Sequence, residues 1–145
     1  MGDGLCLDAS VLVKVYLPED NSEEADRLLD DALARGTDIV APSFLLAEVL
    51  SVVRRQVYRG ILATERADAI LERLFVLPIG KSDGREVYER AWRLAQELAM
   101  PVIYDAVYLA VAELAGATFW TADRVLFEKA GHKQYVRLLG ESRPS

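Results

Sequence analysis

"YDAVYLAVAELAGATFWTADRVLFEKAG", Tyr104 to Gly131, shows most plainly the helix–strand–helix alternation that decides the fold class. "YDAVYLAVAELAG" reads as an apolar-rich helix ended by Gly116, because glycine adopts the left-handed backbone that closes a helix. "TFWTA" reads as a short strand, and "DRVLFEKAG" as a short helix that Asp123 opens. A short apolar strand between helices is the building block of a parallel sheet covered on both faces.

The same alternation runs outward through the chain. "LCLD" predicts a first strand and "ASVLVKVYL" a helix directly after it. "SEEADRLLDDALARG" predicts a helix with Ser22 as N-cap and Gly36 at its end. "DIVAP" predicts a second strand. "SFLLAEVLSVVRRQVYRG" predicts a helix opened by Ser43 and closed by Gly60, and "TERADAILERLF" one capped by Thr64. "VLPIG" predicts a third strand, "DGREVYERAWRLAQELA" a helix ending before Pro101, and "YVRLLG" a last strand. The expected class is α/β. In such sheets sites form outside the carboxyl ends of the strands, where Asp8 and Asp123 would meet.

The chain has 145 residues and no internal repeat or long linker, so a single domain over residues 1–145 is expected. Apolar residues make up 52% of it, which fits a packed globule. One cysteine, Cys6, excludes an internal disulfide and suits a reducing interior such as the cytoplasm. "MGDGLCLD" has no basic start or long apolar run, so it does not read as a signal peptide. Glu48 and Asp105 interrupt the longest apolar stretches well below the ~20 residues of a membrane helix.

Acidic residues outnumber basic ones by 23 to 17, a net charge of −6 that repels nucleic acid at long range. Two local clusters run the other way: Arg54, Arg55 and Arg59, and Arg124, Lys129, Lys133 and Arg137. Each reads equally as solvated helix surface or as a contact for a polyanion.

Four carboxylates need an explanation. Asp8, Asp105 and Asp123 each lie at or near a helix start, where an aspartate caps backbone N–H groups. Glu48 lies mid-helix, with Phe44, Leu45, Ser51 and Val52 at the facing positions and no base nearer than Arg55 or Arg54. A carboxylate so placed is costly unless it is paired, protonated or metal-bound. Ser10 and Thr121, two residues from Asp8 and Asp123, are placed to orient carboxylates or water, or to be strand-end hydroxyls. Four acids at one sheet edge would repel one another, and a hard divalent cation, Mg²⁺ or Mn²⁺, would relieve the repulsion. A single histidine, His132, in a predicted loop, argues against a zinc site and against a histidine-based triad.

These stretches resemble the PIN domain ribonucleases, and most of all the toxin half of VapBC-type toxin–antitoxin pairs. "LDASVLVK" resembles the family's first motif, "APSFLLAEVLSVVRR" its second, and "VIYDAVYLAVAELAGATFWTADRVL" its C-terminal pattern. The resemblance implies a three-layer α/β/α sandwich with a central parallel sheet. It implies an endoribonuclease dependent on Mg²⁺ or Mn²⁺, with Asp8, Glu48, Asp105 and Asp123 as catalytic and metal-binding acids and Ser10 and Thr121 in support. It further implies RNA as substrate, with Arg54, Arg55 and Arg124 as candidate backbone contacts. A cognate antitoxin and a homodimer are the implied partners, and no membrane is involved. Some members carry another acid or amide just after the last aspartate; here Arg124 and Val125 follow, which leaves the number of metal ions open.

Other readings compete. A haloacid-dehalogenase-like phosphatase places a second aspartate two residues after the first, where this chain has Ser10; a receiver domain needs paired acids after the first strand and a late lysine. A non-catalytic RNA- or protein-binding module of the same fold, or a housekeeping RNA-processing nuclease, remains the alternative.

Overall fold

The computed structural model describes residues 4–141, so the first three residues of the "MGDGLCLD" start lie outside it. The elements in chain order are β1 (Gly4–Leu7), α1 (Ala9–Tyr16), α2 (Ser22–Arg35), β2 (Ile39–Ala41), α3 (Leu45–Tyr58), α4 (Thr64–Phe75), β3 (Ile79–Lys81), α5 (Arg85–Glu97), α6 (Tyr104–Ala115), β4 (Ala117–Thr121), α7 (Arg124–Ala130) and β5 (Val136–Leu138). The strands form one sheet in the order β3-β2-β1-β4-β5, and every pairing is parallel. The expected α/β class and central parallel sheet are observed.

Burial explains the layers. Every residue from Ala106 to Ala112 is buried, so α6 is apolar nearly all round. It packs across β1, β2 and β4 and is covered in turn by α5. The thiol of Cys6 points toward the α6 carbonyl of Tyr108. α1 packs on β1 and β4 and carries α2 and α3 outside it. Two helix ends follow the glycine rule: Gly36 and Gly116 both take left-handed backbone, with φ of 66° and 64°.

Several expected caps are different. Asn21, in the left-handed conformation, precedes α2, while the Ser22 hydroxyl accepts the Glu19 N–H at 2.8 Å. Ser43 does not open α3: its N–H and hydroxyl both donate to Asp83 Oδ1 at 3.1 Å, and the helix starts at Leu45. Thr64 is the first residue of α4 and makes no capping bond. α3 ends at Tyr58 with Arg59 as C-cap, one residue before Gly60. The third strand lies later than "VLPIG" suggests. The Leu77 N–H still bonds back to Leu74, and Pro78 has no N–H to donate, so β3 begins at Ile79.

The topology places a crevice. The chain leaves β1 toward β2 and β3 on one side and returns to β4 on the other, so the order reverses beside β1. A crevice opens outside the carboxyl ends of strands at such a point. Leu7 pairs with Trp120, and the Asp8 N–H donates to the Trp120 carbonyl at 3.2 Å. The next residues, Asp8 and Thr121, are therefore neighbours at the crevice.

Candidate active site

Asp8 is buried at the exit of β1 and caps α1, accepting the Val11 N–H at 3.3 Å. Capping occupies only part of its hydrogen-bonding capacity. The Ser10 hydroxyl donates to Asp8 Oδ1, and the fully buried Thr121 hydroxyl donates to Asp8 Oδ2 at 2.5 Å. Both hydroxyls also accept a backbone N–H. Ser10 Oγ accepts that of Ala122 at 2.9 Å, and Thr121 Oγ1 accepts that of Asp123 at 3.0 Å. The two hydroxyl oxygens lie 3.5 Å apart. This lattice ties β1, α1 and the end of β4 into one rigid support.

Asp123 also caps a helix. Its Oδ1 accepts the N–H groups of Val125 and Leu126 at 2.9 and 3.2 Å, leaving the side chain exposed at the rim. Asp105 lies in the first turn of α6 and is half-buried; the N-cap there is Ile103. Capping alone therefore explains part of Asp8 and Asp123 and none of Asp105.

Glu48 is half-buried on α3, and its partner is on another element. The Tyr108 hydroxyl donates to Glu48 Oε1 at 2.5 Å. A search for partners along α3 misses Tyr108, which comes from α6. Its sequence signal is its position three residues after Asp105, on the same face of that helix. Phe44 packs edge-on against both Tyr108 and Tyr104, at 5.4 and 5.5 Å between ring centroids.

Electrostatics joins the four acids. Burial pushes the Asp8 carboxyl up to about 7, and the charge of Asp105 adds to the rise, against the lowering effect of its hydrogen bonds. Burial also raises Asp105, followed by the negative charges of Asp123 and Glu48; Lys129 partly opposes them. Asp105 thus feels acids from α3 and from the β4–α7 junction, and itself acts on the acid after β1. Burial, with the hydrogen bond and charge of Glu48, keeps Tyr108 protonated far above the usual phenol range.

The donor set suits a hard cation, since carboxylate and hydroxyl oxygens are the ligands that Mg²⁺ and Mn²⁺ prefer. Among the described residues no three His, Cys, Asp or Glu side chains are grouped closely enough to hold an ion alone. An ion at this crevice would therefore keep much of its shell as water, as Mg²⁺ commonly does.

The arginines are placed differently. Arg54 and Arg55 line a shallow groove on the outer face of α3 with Ala47, Leu50, Ser51 and Tyr58. A separate groove, of about 410 Å³, reaches Ser10, Glu48 and Ala122. Arg124 is exposed at the start of α7, directly after Asp123.

Residues 5–133 match the PIN domain family. The chain belongs to the PIN domain family. A relative of this PIN domain chain in Pyrobaculum aerophilum, Ribonuclease VapC3, is 33% identical over 127 residues, which cover 86% of this chain and 93% of that protein. The crystal structure of PAE2754, from the same organism, superposes with a TM-score of 0.63 at 20% identity, covering 96% of this chain and 92% of the other. A toxin–antitoxin complex from Klebsiella pneumoniae contains a chain with a TM-score of 0.61 at 16% identity, covering 96% and 100% of the two chains. At those identities the two structures establish the fold, the three-layer α/β/α arrangement of PIN domains.

Proposed function

We propose that this PIN domain is an endoribonuclease and the toxin of a toxin–antitoxin pair, using Mg²⁺ or Mn²⁺ to hydrolyse RNA phosphodiester bonds. The observation that carries this reading is that acids from separate elements meet at the crevice: Asp105 on α6 feels the charges of Asp123 after β4 and Glu48 on α3, and its own charge acts on Asp8 after β1. The relative named as a ribonuclease, similar over most of both chains, supports the reaction class.

Asp8, Asp105 and Asp123 would hold the ion, largely through its water shell, and Glu48 would hold it or orient the attacking water. A cation held there supplies an activated water and offsets charge building on the phosphate. Ser10 and Thr121 fix both Asp8 oxygens, so this carboxylate keeps its orientation. Tyr108 holds Glu48 by a neutral donor, which leaves the negative charge of the site in place. Arg54, Arg55 and Arg124 are proposed contacts to the RNA backbone, with the first two reached by a longer strand.

Residues 1–145 are proposed to form a single nuclease domain that works as a homodimer and is restrained by a cognate antitoxin. No helix among the described residues is long and apolar enough to cross a membrane, and the cytoplasm is the proposed location. Purified wild-type protein should cleave single-stranded RNA with Mg²⁺ or Mn²⁺ and not with EDTA, and Asp8→Asn or Asp105→Asn should abolish cleavage while leaving the circular dichroism spectrum unchanged. RNA binding without cleavage under every metal condition would favour the non-catalytic module.

A further inference from the structure

The groove of about 410 Å³ beside the acidic centre contains a cation that the proposed chemistry has not used. Lys14 follows Ser10 by one turn of α1, so both side chains share a face. Lys14 lines the groove together with Ser10, Glu19, Glu48, Val52 and Ala122, and among the described residues is its only basic lining residue. Its side chain is 15% exposed, yet among the described residues its single ion-pair partner is Glu19, at 3.8 Å. Glu19 is half exposed, on the loop after α1, and a pair of this length at a wet edge is weak. The packed stem holds the ammonium at the groove wall, and so weak a partner leaves it open to exchange for a better-placed anion.

We propose that Lys14 is a substrate-binding residue that receives an RNA phosphate beside the scissile bond, with Glu19 occupying the ammonium until RNA replaces it. The proposal rests on the nuclease reading above for the identity of the polyanion. Lysine suits this role as a compact point charge on a flexible stem, able to leave one oxygen for another. A purely structural salt bridge makes a different prediction: loss of either partner would then have the same consequence.

The test measures fluorescence anisotropy of a labelled single-stranded RNA across a KCl titration, together with cleavage in Mg²⁺ for wild type, Lys14→Met and Glu19→Gln. Lys14→Met should weaken binding about three- to tenfold and reduce the slope of log affinity against log salt by about 0.7, the loss of one single-strand phosphate contact. Glu19→Gln should tighten binding, because the ammonium is freed from its competitor. Unchanged binding and slope in Lys14→Met, or weaker binding in both variants, overturns the assignment. Wild-type RNA binding with the predicted Lys14 effect but no cleavage would remove the nuclease reading and keep the Lys14 contact. Wild-type protein that neither binds nor cleaves RNA overturns both.

Discussion

The Tyr108 hydroxyl donates to Glu48 Oε1 at 2.5 Å, joining α6 to α3 across 60 residues of sequence. Tyr108 is 2% exposed, so the bond is shielded from competing water on the tyrosine side. Tyr108→Phe keeps the ring packed against Phe44 and removes only the donor. A hydrogen bond to a charged group contributes about 1.5–3 kcal/mol. If Glu48 works in the orientation this bond sets, the single-turnover rate of RNA cleavage should fall by roughly ten- to hundredfold. A wild-type rate in this variant would show that the bond serves only to pack α3 on α6.

Asp8 gives the metal-free protein a distinctive pH dependence. Its folded-state carboxyl titrates at about 7, above the ordinary 3.8, mainly because of burial. The folded protein therefore holds this proton more tightly than the unfolded chain does. Its contribution to stability is fully present below about pH 4 and is lost as pH rises through about 7. Asp105 is shifted the same way. In EDTA the melting temperature should decline across this window after acid effects of other groups are subtracted, and Asp8→Asn should flatten the decline. A profile identical to wild type in Asp8→Asn would contradict the buried, raised carboxyl.

Thr121 is a sensitive position because its hydroxyl both donates to Asp8 and accepts from Asp123 N–H. Thr121→Val preserves shape and leaves the buried Asp8 Oδ2 without its donor, at a cost of about 1–3 kcal/mol, and the partly buried Asp123 N–H without its acceptor, at a smaller cost. A fall in melting temperature on the order of 5 °C or more follows for a chain of this size. Thr121→Ser keeps the hydroxyl and should recover most of the loss. Equal stability of the serine and valine variants in thermal denaturation would count against the double role.

Much of this arrangement is legible from residue order, for identifiable reasons. The helix–strand–helix run around "TFWTA" points to the parallel sheet, because strands buried on both faces read as short apolar runs. Asp8 and Asp123 stand at strand ends in the sequence, so the β1–β4 crevice follows from topology alone. Caps are harder to read. Ser43 and Thr64 have good N-cap side chains, yet Ser43 is drawn to Asp83 on a distant loop and Thr64 lies one residue inside its helix. Neither Tyr108 nor Lys14 stands out as a site residue in the sequence. The Tyr108 contact crosses between elements, and Lys14 resembles any basic residue at a helix end until the groove wall is visible. The offset of Arg54 and Arg55 from the Glu48 groove depends on the rotation of α3 against α1, which spacing along one helix does not reveal.

A metal-dependent nuclease requires that carboxylates from separate elements act together on one hard cation. Calorimetric titration of Mn²⁺ into metal-free wild type and Asp105→Asn tests this most directly, since Asp105 is the acid whose charge environment includes both Asp123 and Glu48. Wild type should bind the ion, release protons on binding near pH 7 because Asp8 is partly protonated there, and bind about tenfold more tightly or better than the variant. No heat of binding at millimolar Mn²⁺, or equal affinity in Asp105→Asn, would contradict it.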